Sequence, residues 1–136
     1  MALLDTTVLI DLGRRKTNPM HQRARAEVGR LLADGQTFFT SRINEAEFRV
    51  GPEMSPDRRT ELEKVERVLA RLMILEFDAA AAARYAVIKA ATYKRGRSVG
   101  DCDTLIASVA LANGQSLITR NTKHFDEIPG LSLVSY

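Results

Sequence analysis

Ala2-Leu3-Leu4-Asp5-Thr6-Thr7-Val8-Leu9-Ile10 opens the chain, and its reading decides the architecture. Ala2 to Asp5 is a short apolar run closed by an acid, which predicts a buried strand whose last residue emerges at the sheet edge. From Thr7 onward, Val8, Leu9, Ile10 and Leu12 predict a short helix that frays near Gly13-Arg14-Arg15-Lys16. A buried strand leading straight into a helix is the first half of a crossover unit, and the alternation recurs downstream.

Working outward, Thr17-Asn18-Pro19 predicts a turn and a helix start, with the helix running to Leu32-Ala33 and stopping at Gly35. Thr37-Phe38-Phe39-Thr40 is a second strand, and Ser41 caps a helix from Arg42 that Gly51-Pro52 ends. Ser55-Pro56 predicts the next helix start, followed by Leu62, Val65, Val68, Leu69 and Leu72 at helical spacing. Met73 to Phe77 is a third strand, and Asp78 caps an alanine-rich helix through Tyr93 that breaks at Gly96. A helix from Asp103 to Asn113 stops at Gly114, Ser116 to Thr119 is a fourth strand, and Leu131 to Val134 is a fifth. The expectation is one α/β domain over residues 1–136 with a mainly parallel sheet of four to five strands. In such sheets ligands bind outside the carboxyl ends of the strands.

Composition narrows the function classes. The 136 residues are 45% apolar and 27% charged, ordinary for a soluble globular protein, and the net charge of +3 permits an RNA or acidic protein partner without requiring one. The single Cys102 excludes an internal disulfide framework and a Cys-rich zinc site. No run approaches the roughly 18 apolar residues of a membrane span. The first ten residues lack a basic segment leading into a long apolar one, so the expected compartment is the cytoplasm.

Acids fall where elements should begin or end. Asp5 closes the first strand, where it can cap the next helix or present its carboxylate beyond the sheet, with the Thr6 and Thr7 hydroxyls beside it. Glu45 and Glu47 share one helix but point in different directions, so one faces the site and the other is a solvated surface charge. Asp101 and Asp103 flank Cys102 before Thr104-Leu105-Ile106-Ala107; one serves the helix start and the other is surplus to it. Clustered carboxylates resist joint ionisation unless a cation compensates them. Oxygen donors suit Mg²⁺ or Mn²⁺, which polarise phosphoryl oxygens and acidify water. Metal-assisted phosphodiester hydrolysis is the chemistry this predicts.

Four segments together carry a family resemblance. Leu4-Asp5-Thr6-Thr7-Val8-Leu9-Ile10-Asp11 resembles the opening signature of PIN-domain nucleases. Asn44-Glu45-Ala46-Glu47-Phe48-Arg49-Val50-Gly51 resembles their second motif, and Gly100-Asp101-Cys102-Asp103-Thr104-Leu105-Ile106-Ala107 their third. Thr119-Arg120-Asn121-Thr122-Lys123-His124-Phe125 with Ile128-Pro129-Gly130-Leu131 resembles the last signature of the VapC-like toxin branch. The match spans essentially the whole chain, in order.

The resemblance implies a three-layer α/β/α fold and a Mg²⁺- or Mn²⁺-dependent endoribonuclease, the toxin of a bacterial toxin–antitoxin pair. It selects Asp5, Glu47 and Asp103 as catalytic, metal-binding acids, Glu47 by its distance from Gly51, with Asp101 as a further candidate ligand. The family's fourth acidic position aligns with Asn121, an amide that brings no charge, and Thr7 stands where Asn or Ser is frequent. Thr6 and Thr119 offer supporting hydroxyls; Arg97 and Arg120 are candidate phosphate contacts. Arg14, Arg15 and Lys16 read as a solvated helix end, and His124 as part of a solvated turn above Phe125. Implied partners are an RNA substrate and a cognate antitoxin, in a homodimer or a toxin–antitoxin hetero-oligomer, with residues 19–33 and 56–73 as candidate shared surfaces.

Rival readings fit less well. A haloacid-dehalogenase-like phosphatase needs a second Asp where Thr7 stands, and a response-regulator receiver needs an acid near Thr40-Ser41. A PIN-like scaffold that binds RNA or a partner without cutting has only Asn121 in its favour; an RNA-processing nuclease outside a toxin–antitoxin system is the other alternative.

Overall fold

The computed structural model describes residues 1–136. In chain order the elements are β1 (Ala2–Leu4), α1 (Thr6–Gly13), α2 (Pro19–Ala33), β2 (Phe38–Ser41), α3 (Arg42–Met54), α4 (Arg58–Leu69), β3 (Met73–Leu75), α5 (Ala79–Lys94), α6 (Asp101–Ala112), β4 (Ser116–Ile118) and β5 (Leu133–Val134). A single 3₁₀ turn, Thr122–His124, precedes β5. The strands form one five-stranded sheet in the order β3-β2-β1-β4-β5, parallel throughout.

β1 lies at the centre of that sheet and is buried on both faces, which is why it reads as an uninterrupted apolar run. The pleat sends its side chains to alternate sides. Leu3 joins Leu117 in a core with Ile88 of α5 and Ile106 and Val109 of α6. Ala2, Leu4 and Ile118 face a second core with Val8 and Leu9 of α1, Phe48 of α3, and Val65 and Leu69 of α4. Helices on both faces of a parallel sheet give the expected three α/β/α layers.

Several boundaries differ from expectation. α3 does not stop at Gly51-Pro52 but continues to Met54. Pro52 lies in the final turn, where only its own missing N–H is lost, and its carbonyl still accepts from Ser55 N at 3.1 Å. α4 starts at Arg58 rather than at Ser55-Pro56, because Asp57 takes the cap and accepts from Thr60 N at 3.3 Å. Ser55 Oγ instead accepts from Asp57 N, closing the preceding turn. α6 begins at Asp101 with Gly100 as its cap, so both Asp101 and Asp103 occupy the first turn and neither is the capping residue. β3 ends at Leu75, two residues earlier than expected. Asn113 does close α6, and Gly114 takes the left-handed conformation, φ 61°, that the Asn-Gly pair predicts.

Register brings the site together. Leu4 of β1 pairs with Ile118 of β4, so Asp5 and Thr119 are the first residues past two adjacent strand ends. Ser41, last in β2, is also the cap of α3.

Candidate active site

Asp5 is both helix cap and the centre of a polar network. It is 4% exposed, has extended backbone (φ −70°, ψ 161°), and its carboxylate accepts from Thr7 N at 3.4 Å. Oδ2 also accepts from the Thr7 hydroxyl at 2.9 Å and the Thr119 hydroxyl at 2.8 Å. Both hydroxyls are themselves oriented: Thr7 Oγ1 accepts from Arg120 N at 3.2 Å and Thr119 Oγ1 from Asn121 N at 2.9 Å. Asn121 contributes its backbone to this corner, while its amide side chain is exposed.

Asn44 supplies the link to the second acid. Its backbone N–H donates to Ser41 Oγ, and its side-chain oxygen accepts back from Ser41 N, a reciprocal cap that fixes the amide. The amide nitrogen then donates to Asp5 Oδ1 at 3.3 Å and to Thr6 Oγ1 at 3.0 Å. The Thr6 hydroxyl in turn donates to Glu47. Asn44 is fully buried, and its role went unread; the Ser-x-x-Asn spacing from Ser41 was the available signal.

Glu47 and Asp103 complete the cluster from α3 and the first turn of α6. Burial, aided by repulsion from Asp5 and Asp103, pushes the Glu47 carboxyl above its ordinary range. Burial and Asp5 do the same to Asp103, against an opposing pull from His124. His124 Nδ1 lies 3.2 Å from Asp103 Oδ2, so the histidine read as part of a solvated turn stands against an acid of the site. No Lys or Arg forms an ion pair with Asp5, Glu47 or Asp103. The donors are hard oxygens carrying uncompensated negative charge, which suits a divalent cation. The three side chains do not close into a preformed cage, each being held by its own neighbour.

Other candidates lie elsewhere. Asp101 is turned away: its side chain is 79% exposed and paired with Lys89 Nζ at 2.8 Å, with Tyr85 OH at 3.4 Å. Lys89 holds the Asp101 carboxyl below its usual range, so that acid already has its counter-charge. Arg97 pairs with Glu127. Arg120 Nε is 3.0 Å from Asp11, a wholly buried acid that also takes Arg14 Nε at 2.9 Å and Tyr136 OH at 2.8 Å. Arg120 is therefore anchored beside the site, and Arg14, exposed at the end of α1 as expected, is also tied to Asp11. Glu45 is not a solvated charge either: it is buried between Arg42 and Arg49, the latter at 2.8 Å. Those arginines stand three residues before it and four after, a spacing that brings all three onto one helix face.

Comparison with known proteins agrees with this geometry. The model of the PIN domain family matches residues 2–131. The tRNA(fMet)-specific endonuclease VapC of Shigella flexneri is 30% identical over 129 residues, 95% of this chain and 92% of that protein. Ribonuclease VapC2 of Rickettsia felis is 34% identical over 106 residues, 78% of this chain and 79% of the relative. A crystal structure of Rickettsia felis VapBC2 bound to a promoter DNA fragment superposes with a TM-score of 0.86 at 28% identity, covering 99% of this chain and 98% of that one. The chain belongs to the PIN-domain family, in its VapC-like branch.

Proposed function

We propose that this chain is the ribonuclease toxin of a toxin–antitoxin pair and cleaves RNA phosphodiesters with Mg²⁺ or Mn²⁺. What supports the metal requirement is that Asp5 and Asp103 repel the Glu47 carboxylate and Asp5 repels that of Asp103, with no Lys or Arg paired to any of the three. RNA as substrate is supported by the VapC ribonucleases it resembles, and an antitoxin partner by the VapBC2 complex.

Asp5, Glu47 and Asp103 would hold the ion, which when bound supplies a Lewis acid for the phosphate and a lowered pKa for water. Thr7, Thr119 and Asn44 fix both oxygens of Asp5, and Thr6 fixes Glu47. Asp11 restrains Arg120 next to that edge, where its half-exposed guanidinium can meet an RNA phosphate. A homodimer or a hetero-oligomer with antitoxin is the expected assembly. The cytoplasm is the compartment that fits both RNA and antitoxin; no helix is long and apolar enough to cross a membrane.

Purified protein on total bacterial RNA tests this. Discrete fragments with Mg²⁺ or Mn²⁺, absent with EDTA, are expected; fragments unchanged by EDTA would refute the metal requirement.

A further inference from the structure

The cluster follows a pattern in which each acid is steered by a side-chain donor of its own. Asp5 has Thr7, Thr119 and Asn44; Glu47 has Thr6. Asp103 has one such donor, His124. We infer that His124 is the positioning residue that fixes Asp103 for metal binding. The inference rests on the metal-centre reading above.

Both ends of this contact are held. His124 sits in the 3₁₀ turn Thr122–His124, where its backbone N–H donates to Asn121 O at 3.1 Å. The next residue, Phe125, is 1% exposed and belongs to the core under α5 and α6. The backbone carrying the imidazole is thus pinned by a buried aromatic one position away, while the ring itself is 54% exposed. Asp103 is placed by the first turn of α6, which begins at the side-chain-less cap Gly100. A Cβ at Gly100 would stand 3.4 Å from Asp103 Oδ2, an ordinary contact, and Gly100 itself brings no side-chain donor to that oxygen, which leaves the imidazole as the group that orients it.

The residue type fits the task. The contact is made through Nδ1, which must carry hydrogen to donate to a carboxylate, while Nε2 has no protein partner. An imidazole orients the acid without the fixed charge that a Lys or Arg would set against an incoming cation. Carboxylates that bind metals are commonly held by such hydrogen bonds, and losing one costs about 10–100-fold in metal affinity.

The test uses calorimetric Mn²⁺ titration of the full chain as wild type, Asp103→Asn, His124→Ala, His124→Asn and His124→Gln, with melting curves confirming the fold. The Asn amide nitrogen stands where Nδ1 stands, whereas Gln reaches the position of Nε2. His124→Ala is expected to weaken Mn²⁺ binding by about 10–100-fold, His124→Asn to restore most of it, and His124→Gln to behave like Ala. Cleavage by His124→Ala should recover at saturating Mn²⁺, as a pure affinity loss requires. Wild-type affinity in His124→Ala, or rescue by Gln instead of Asn, would overturn the assignment. If wild type itself binds no Mn²⁺, or Asp103→Asn binds it equally well, the metal-centre reading fails first and takes this inference with it.

Discussion

Thr119 and Asp5 are 114 residues apart in sequence and joined by a 2.8 Å hydrogen bond from hydroxyl to carboxylate. The contact exists because β1 and β4 pair in register up to Leu4 and Ile118, leaving the next residue of each at the same edge. Both side chains are buried, so the bond is made away from water. Thr119→Val keeps the shape and removes the donor. It is expected to cost about 1.5–3 kcal/mol in urea denaturation and to lower cleavage, while Thr119→Ser retains most of both. A Val variant with wild-type stability and activity would show that Thr7 and Asn44 suffice to hold Asp5.

Glu47 gives a pH-dependent prediction. Its folded-state carboxyl lies above its ordinary value of 4.5, chiefly through burial. The protonated acid therefore favours the folded state; that contribution is full below 4.5 and is lost as pH rises through the folded value. In metal-free protein at neutral pH, ionised Glu47 works against folding. Glu47→Gln should melt above wild type under those conditions, with the gap closing as pH falls below 4.5, and should cleave poorly. Melting curves across this range with EDTA present decide it, and a Gln variant less stable at neutral pH would contradict the sign.

The two glutamates of α3 should separate cleanly. Glu45 holds Arg42 and Arg49 from a buried position, so Glu45→Ala leaves two arginines without their partner. Because both arginines are substantially exposed, the expected cost is about 1–2 kcal/mol, with Mn²⁺ affinity unchanged. Glu47→Gln should show the reverse, a loss of metal binding without loss of fold. An equal effect of both on metal affinity would mean that the cluster extends to Glu45.

Asp11 is the strongest purely structural site. It is fully buried and receives Arg14, Arg120 and Tyr136, and its contact with Tyr136 helps push that phenol's pKa up to about 12, after burial. Asp11→Ala is expected to destabilise the protein by about 3 kcal/mol and to loosen Arg120 beside the site. Chemical denaturation gives the first quantity, and the KM for RNA should rise if Arg120 contacts phosphate.

Local signals and tertiary contacts were unequally legible. β1 could be read because its apolar run is too short for a helix and leads straight into a helical pattern, and Ser41 and Asp78 could be read as caps from their place before helical patterns. The start of α4, expected at Ser55-Pro56, falls later because Asp57, itself a good cap two residues on, takes the cap, which depends on how the chain enters from α3. Glu45 was misjudged although its arginines lie at helical spacing on both sides. His124 beside Asp103 and Arg120 on Asp11 depend on where the chain after β4 crosses the ends of α6 and α1, which no local pattern encodes.

The central claim is that Asp5, Glu47 and Asp103 form one metal centre. An anomalous difference map from crystals soaked in Mn²⁺ tests it most directly. The account expects a peak bounded by carboxylate oxygens of those three residues and lost in Asp5→Asn crystals. A Mn²⁺ peak held instead by Asp101 or Glu45, with the three acids left bare, would contradict it.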